Sequence, residues 1–262
     1  MLLGQLIMDA GQVTRKACKR LLKDGHVNVD GQVVTQFATV VDPSWQEITV
    51  DQVVIDRHFG HTYYLVHKPK GYLSANKDQT HPTVIDLIQP ADNPGDLAIT
   101  GRLDRDAHGL VFVTNNGQLH YIFQQPKFDI PKTYRVNVNG LIDGKMVAQF
   151  QAGVIFQDGT ICKAARLEII SASPQSSTGL VTISEGRRHQ VKKMFLACGV
   201  KVIDLYRQKI GDLRIDDLAE GDYHQLNEAE IIDFNSLAKS FLKNFLDLFY
   251  RPFPSTFFTP II

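Results

Sequence analysis

The sequence predicts an α+β fold built on a mainly antiparallel, mixed sheet. Strand-like and helix-like patterns alternate irregularly along its 262 residues, without the regular rhythm of βαβ units. No Gly-rich phosphate loop follows a first strand, as a doubly wound nucleotide-binding fold would need. With 44% apolar residues the chain can bury one sizeable core and a second, smaller one.

The smaller unit is expected over residues 1–56, as two helices followed by short strands around 27–31 and 48–50. Thr14 is placed to cap a helix running to about Lys23, with Gly25 just beyond its end. At about 100° per residue, Arg15, Lys16, Lys19, Arg20 and Lys23 share one arc of that helix, and Ala17, Cys18, Leu21 and Leu22 fill the opposite one. One face packs and the other is positive. Most charged helix faces are simply solvated, so the wheel alone does not define a binding surface. Residues 57–61 are polar, include Gly60 and form a short linker.

The larger unit is expected over 62–227. Tyr63 to Lys68 is a strand stopped by Pro69, and His81-Pro82-Thr83-Val84-Ile85-Asp86 suits the capped start of a helix. A short helix at 119–123, a β-rich strand from Lys132 to Val138 and a helix at 146–153 follow. Strands at 154–156, 165–170 and 180–183 come next. A last helix carries Val191, Met194, Phe195 and Cys198 on one face and stops at Gly199. Residues 228–262 hold an apolar stripe from Phe234 to Phe249 that predicts a docked C-terminal helix.

The formal net charge is zero, which disfavours a nucleic-acid partner only if the charge is evenly spread. It is not. Residues 185–215 hold eight Lys/Arg against three Asp/Glu, whereas 216–262 hold three against eight. A basic patch therefore stands beside an acidic segment. Cys18, Cys162 and Cys198 form no Cys-x-x-Cys pair, so neither zinc nor a disulfide framework is signalled. Asp9 interrupts the first apolar run, and Lys239, Lys243 and Asp247 interrupt the most apolar region, so no secretory signal or membrane span is expected. A cytoplasmic protein, most simply a monomer, follows.

Chemistry is expected where Gly101-Arg102-Leu103-Asp104 precedes the apolar run from Gly109 to Val113, which ends in Thr114-Asn115-Asn116-Gly117. That pattern puts a carboxylate on a loop feeding a buried strand. Alone it is a turn whose Asp bonds nearby backbone. Two further stretches accompany it, Lys132-Thr133-Tyr134 and Glu185-Gly186-Arg187-Arg188-His189-Gln190-Val191-Lys192-Lys193. In this order and spacing the three resemble the motifs of the pseudouridine synthases, specifically the branch that modifies bacterial ribosomal RNA and carries an N-terminal S4 domain. The resemblance runs from about residue 1 to about residue 227.

The resemblance implies a pseudouridine-synthase-type catalytic domain over 62–227 and an S4-like RNA-binding domain over 1–56. It makes Asp104 the carboxylate that attacks C1′ or takes a proton from C2′, Tyr134 the aromatic residue that stacks on the uracil, and Lys192 the cation beside Asp104. Arg188 or Lys193 could instead be that cation. Leu205 would floor the uracil pocket, Arg187 would line it, and Arg102 would brace the space left by a flipped-out uridine. Arg15, Lys16, Lys19, Arg20, Lys23, Arg188 and Lys193 would lie on RNA phosphates. Because uridine and pseudouridine are isomers, no cofactor and no metal is implied, and the partner is ribosomal RNA or an assembling subunit.

Three departures stand out. Leu2-Leu3-Gly4-Gln5 replaces the usual Arg-Leu-Asp-Lys opening of an S4 helix, His108 stands where Thr or Ser is usual, and Asn116 replaces an Asp. Two other readings compete. A metal hydrolase could use Asp104, Asp106 and His108 on one strand face, although the ligand count is short. A non-catalytic ribosome-binding factor needs only the S4 unit and basic patch, but gains nothing from a carboxylate facing phosphates. Within the family, the His81-Pro82-Thr83-Val84 stretch, the run 217–223 and the lack of a long basic tail resemble the branch acting on 16S rRNA more than the 23S branch.

Overall fold

The structure, a computed structural model, describes residues 2–39, 41, 43, 46–55, 61–227 and 230. The chain divides at Thr62 into an N-terminal unit and a larger unit, Thr62–Asn227. Most of the expected linker and the expected C-terminal helix, with its stripe from Phe234 to Phe249, lie outside the described residues.

In the N-terminal unit, helix α1 (Leu3–Gly11) buries Leu3, Leu6 and Ile7, a spacing of three and four that puts them on one face. Gly4 explains the unusual opening of this helix. A Cβ there would fall 2.1 Å from the Phe37 ring, so the ring packs directly on the helix backbone. Helix α2 (Arg15–Lys23) starts where Thr14 accepts a bond from the Ala17 N–H at 3.3 Å. Cys18 and Leu22 are buried, while Arg15, Lys16, Lys19, Arg20 and Lys23 are all exposed. Strands β1 (Val27–Val29), β2 (Gln32–Val33), β3 (Ile48–Val50) and β4 (Val53–Val54) form an antiparallel sheet in the order β2-β1-β3-β4. Both hairpins close on two residues with positive φ, Asp30-Gly31 and Asp51-Gln52, the backbone twist that tight hairpins prefer. Asp51 has a second tie, to the His26 ring.

In the larger unit nine strands form one mixed sheet. They are β5 (Tyr63–Lys68), β6 (Ala98–Thr100), β7 (His108–Thr114), β8 (Lys132–Val138), β9 (Arg166–Ser171), β10 (Ser177–Ile183), β11 (Val202–Ile210), β12 (Leu213–Arg214) and β13 (Tyr223–Gln225). The path runs β13-β5-β7-β11-β8-β10-β9, with β6 paired to β7 and β12 to β11. Every pairing is antiparallel except β7 with β11. β7 is buried from Gly109 to Thr114, whereas β8 and β10 alternate, as strands with one covered face do. Helices α4 (Gly144–Ala152) and α5 (Gln190–Ala197) bring Phe150 and Phe195 together at 4.9 Å between ring centres, in the same core as Val136, Val181 and Met194. Helix α3 (Gly117–Gln124) places Phe123 against Phe112 at 5.3 Å.

Two expected elements differ. The stretch at 81–88 starts as expected, with the Asp86 carboxylate accepting from the Thr83 N–H and hydroxyl at 2.7 and 3.0 Å, but holds only a 3₁₀ turn, Ile85–Leu87, because Ile88 is already extended and Gln89 precedes Pro90. The expected strand at 154–156 is a single bridge, Ile155 to Ile161, with both side chains exposed. Among the described residues no helix is long and apolar enough to cross a membrane.

Candidate active site

The site is assembled around the parallel pair at the sheet centre. Arg207 of β11 stands opposite Gly109 of β7 on one side and Tyr134 of β8 on the other. The approach at Gly109 is close: with φ at +110°, a Cβ there would lie 2.3 Å from the Arg207 carbonyl oxygen. Only glycine lets β11 sit at this distance from the start of β7.

The loop 101–107 that carries Asp104 is pinned from three directions. Arg207, 1% exposed, donates Nη2 to Gly101 O at 2.6 Å, Nη1 to Arg102 O at 3.2 Å and Nε to Leu110 O at 2.7 Å. Lys68, fully buried, donates Nζ to Ala107 O at 2.7 Å and to Arg105 O at 3.4 Å. Ser74 Oγ meets both the N–H and the carbonyl of Leu103, at 3.0 and 2.9 Å. Backbone bonds of this number leave the Asp104 side chain a fixed origin.

The second half of the site comes from the turn into α5. Glu185, 5% exposed, accepts from Gln190 Nε2 at 2.7 Å and from Arg187 Nε at 3.0 Å, and Gln190 Oε1 accepts from the Arg187 N–H at 2.9 Å. This closed ring of bonds sets the entry to the helix. One turn in, Lys192 Nζ lies 3.0 Å from Asp104 Oδ2 and 2.5 Å from Asp106 Oδ1. Burial works against the Lys192 ammonium, but its hydrogen bonds to Asp106 and Asp104 outweigh that and hold its pKa above the ordinary lysine value. Reciprocally, the Lys192 bond holds the Asp106 carboxyl below the usual carboxylate range despite partial burial. His189, in the left-handed region at φ +53°, brings Nε2 to 3.6 Å from Asp104 Oδ1.

Asp104 opens onto a cavity of about 280 Å³, also lined by Arg102, Tyr134, Arg187 and Leu205, and by Lys132, Ile183 and Arg207. Tyr134 is 7% and Leu205 5% exposed, so an aromatic face and an apolar floor are presented inside a walled space. The Tyr134 hydroxyl lies 3.5 Å from Arg207 Nη1. A cavity of this kind can hold a flat heterocycle against a carboxylate that has an ammonium 3.0 Å away.

Asp104, Tyr134, Arg102, Leu205 and Arg187 are thus gathered in one cavity, and Lys192 reaches the same carboxylate from outside its wall. Lys193 points elsewhere, 5.5 Å over the Phe156 ring, and Arg188 is exposed. Of the three cations, Lys192 is the one paired to Asp104. The metal-ligand grouping does not form: the Lys192 ammonium sits between Asp104 and Asp106, and His108 Nε2 faces Asp204 at 3.3 Å. Sequence reasoning gave Arg207 no role, quoted Lys68, Lys132 and His189 only as parts of their stretches, and named Asp106 only as a metal ligand in a competing reading. Arg207 carried a usable signal, since it follows Leu205 by two residues on a strand and so shares its inward face.

The site thus joins a carboxylate, its paired ammonium and an aromatic-walled cavity at the parallel pair of a mixed α+β sheet. The chain belongs to the RNA pseudouridylate synthase family, whose pattern matches residues 62–197, and is by that membership a pseudouridine synthase. It is 36% identical over 233 residues to an RNA pseudouridine synthase, YtzG, of Bacillus subtilis (strain 168), covering 88% of this chain and 97% of the relative. It is 37% identical over 223 residues to ribosomal small subunit pseudouridine synthase A of Yersinia pestis, covering 84% and 92%. The same-named protein of Escherichia coli (strain K12) is 35% identical over 235 residues, covering 88% and 98%. A crystal structure of a pseudouridylate synthase superposes with a TM-score of 0.60 at 31% identity, covering 88% of this chain and 98% of that one.

Proposed function

We propose that the enzyme converts a specific uridine of ribosomal RNA to pseudouridine, and that its RNA is the 16S rRNA of the small subunit. The ribosomal reading is supported by the names of the Yersinia and Escherichia relatives, which align along nearly their whole length. One observation carries the assignment of the chemistry: Asp104, the carboxylate of the cavity, lies 3.0 Å from the Lys192 ammonium. In this reading Asp104 works at the sugar. Attack at C1′ and proton removal at C2′ are both work for a carboxylate, and the Lys192 ammonium holds this one in place by its ion pair.

The target nucleotide leaves its stack and enters the cavity, where Tyr134 lies on the base and Leu205 supports it. Arg102, exposed beside Asp104, fills the space vacated in the RNA. The bond from C1′ to N1 breaks, the base turns in place, C5 joins C1′, and the C5 proton is exchanged for one at N1. Atoms balance without a donor or acceptor. The N-terminal unit acts as an S4-type RNA-binding domain, with Arg15, Lys16, Lys19, Arg20 and Lys23 on phosphates, and Arg188 and Lys193 extend the basic surface on the larger unit.

Carbodiimide-block primer extension on 16S and 23S rRNA from cells with and without the protein tests the target. Loss of one stop in 16S rRNA is expected. A loss in 23S rRNA moves the enzyme to the large subunit, and no loss in either overturns the ribosomal reading.

A further inference from the structure

Lys132 and Arg207 share an unusual position. They are 9% and 1% exposed, both line the cavity, and neither is paired with a carboxylate among the described residues. Lys132 Nζ has one acceptor, Ile130 O at 3.1 Å, which leaves donors to spare. Arg207 has its hydrogen bonds in carbonyls and the Tyr134 hydroxyl, none of which neutralises its charge. The cavity's buried acid, Glu185, is committed to Arg187 and Gln190. Burial, and then the charge of Arg207, push Lys132 down to about 8, the mark of a cation held at a cost. Two buried positive charges beside one another are tolerable where a negative charge arrives between them.

We propose that Lys132 is a further catalytic residue, whose ammonium, backed by Arg207, binds the negative charge that develops on the uracil carbonyl oxygens as the base detaches. The inference rests on the reading that the cavity takes the target uridine. When the bond from C1′ to N1 breaks heterolytically, the electron pair stays on N1 and spreads onto O2 and O4. Uracil is neutral before this step and anionic during it, so a cation in the cavity lining favours the transition state over the bound substrate. The charge is used up when C5 forms its bond to the sugar, and the C5 proton then leaves as N1 takes one, so the product is neutral.

The test compares native enzyme with Lys132→Met and Lys132→Arg under single turnover, at enzyme concentrations saturating for RNA. Lys132→Met keeps volume and removes the charge. It is expected to bind RNA within about twofold of native and to lose about 100-fold in rate, with Lys132→Arg restoring part of the loss. An RNA carrying 5-fluorouridine at the target supplies the deciding arm, read in both RNAs as the rate of breaking the C1′–N1 bond, because a C5 that carries fluorine has no proton to lose and cannot complete the isomerisation. Fluorine withdraws electrons and stabilises the departing anion by itself, so the Lys132→Met defect should shrink to below about tenfold for this substrate. An equal loss on both substrates marks a structural role and overturns the proposal. So does a loss confined to RNA affinity, which assigns Lys132 to a phosphate. Native enzyme that breaks the C1′–N1 bond in neither RNA contradicts the functional reading itself, whereas native cleavage with an unimpaired Lys132→Met contradicts this inference alone.

Discussion

The cations of α2 and those of the cavity are the same residue types put to opposite physical use. On α2, Arg15, Lys16, Lys19, Arg20 and Lys23 are exposed, and the Arg20 contact to Asp24, at 3.4 Å, is a pair in open solvent that contributes little. Around the cavity, Lys68, Lys132 and Arg207 are buried, and each is tied to backbone carbonyls of the loops it supports. An exposed cation can trade its counterions for any phosphate, so it supplies affinity without selectivity. A buried one has lost its water and acts only on what comes within hydrogen-bond reach, so it supplies position and electrostatics. Binding and chemistry should therefore be separable by mutation.

The largest effect is expected on the chemical side. Asp104→Asn keeps the shape of the side chain and removes the anion, and should lower tritium release from 5-tritiated uridine in the target RNA by on the order of 10³-fold or more. Gly109→Ala comes next, because it forces a Cβ into the Arg207 backbone at a φ that side chains avoid. Denaturant unfolding should show a loss of about 3 kcal/mol. Lys192→Met should slow turnover by about 100-fold at saturating RNA, and Lys192→Arg by much less.

A pH profile sharpens the comparison. Lys68 and Lys132 are both brought down to about 8 by burial and the nearby Arg207 charge. Activity should fall by up to about tenfold per pH unit above that value as these ammonium groups deprotonate. Stability should move the other way. In the unfolded chain both lysines stay protonated to about pH 10, so between these values the unfolded state binds more protons and the contribution of these two groups to stability rises with pH. An activity loss that tracks unfolding would break the argument. The smallest effect belongs to α2: Arg20→Gln with Lys23→Gln should weaken RNA binding by about fivefold and lower the slope of log affinity against log salt by between about 1 and 2 units, equally for different RNA sequences.

What the sequence made legible follows the same division. The α2 face was readable because helical period sorts exposed from buried positions, and Thr14 marks the start by its own chemistry. Asp104, Tyr134 and Lys192 were legible as motif members, but the choice of Lys192 over Arg188 and Lys193 needed the side-chain geometry. β11 was hidden because its register against β8 shifts twice, between Val202 and Asp204 and between Arg207 and Lys209, which breaks the period-two pattern. With β11 hidden, the parallel pair and the role of Arg207 beneath the Asp104 loop were hidden as well. Asn116, a departure from the family pattern, turned out to cap α3, its Oδ1 accepting from the Leu119 N–H at 3.2 Å, so either amide or acid fits there.

The separation of binding from chemistry is tested most directly by single-turnover tritium release at enzyme concentrations saturating for RNA, with Arg20→Gln/Lys23→Gln and Asp104→Asn in one assay. Once bound, the first should release tritium at the native rate, and the second, bound as tightly as native enzyme, should release almost none. Native-rate release by Asp104→Asn, or slow release by the saturated α2 variant, would contradict the account.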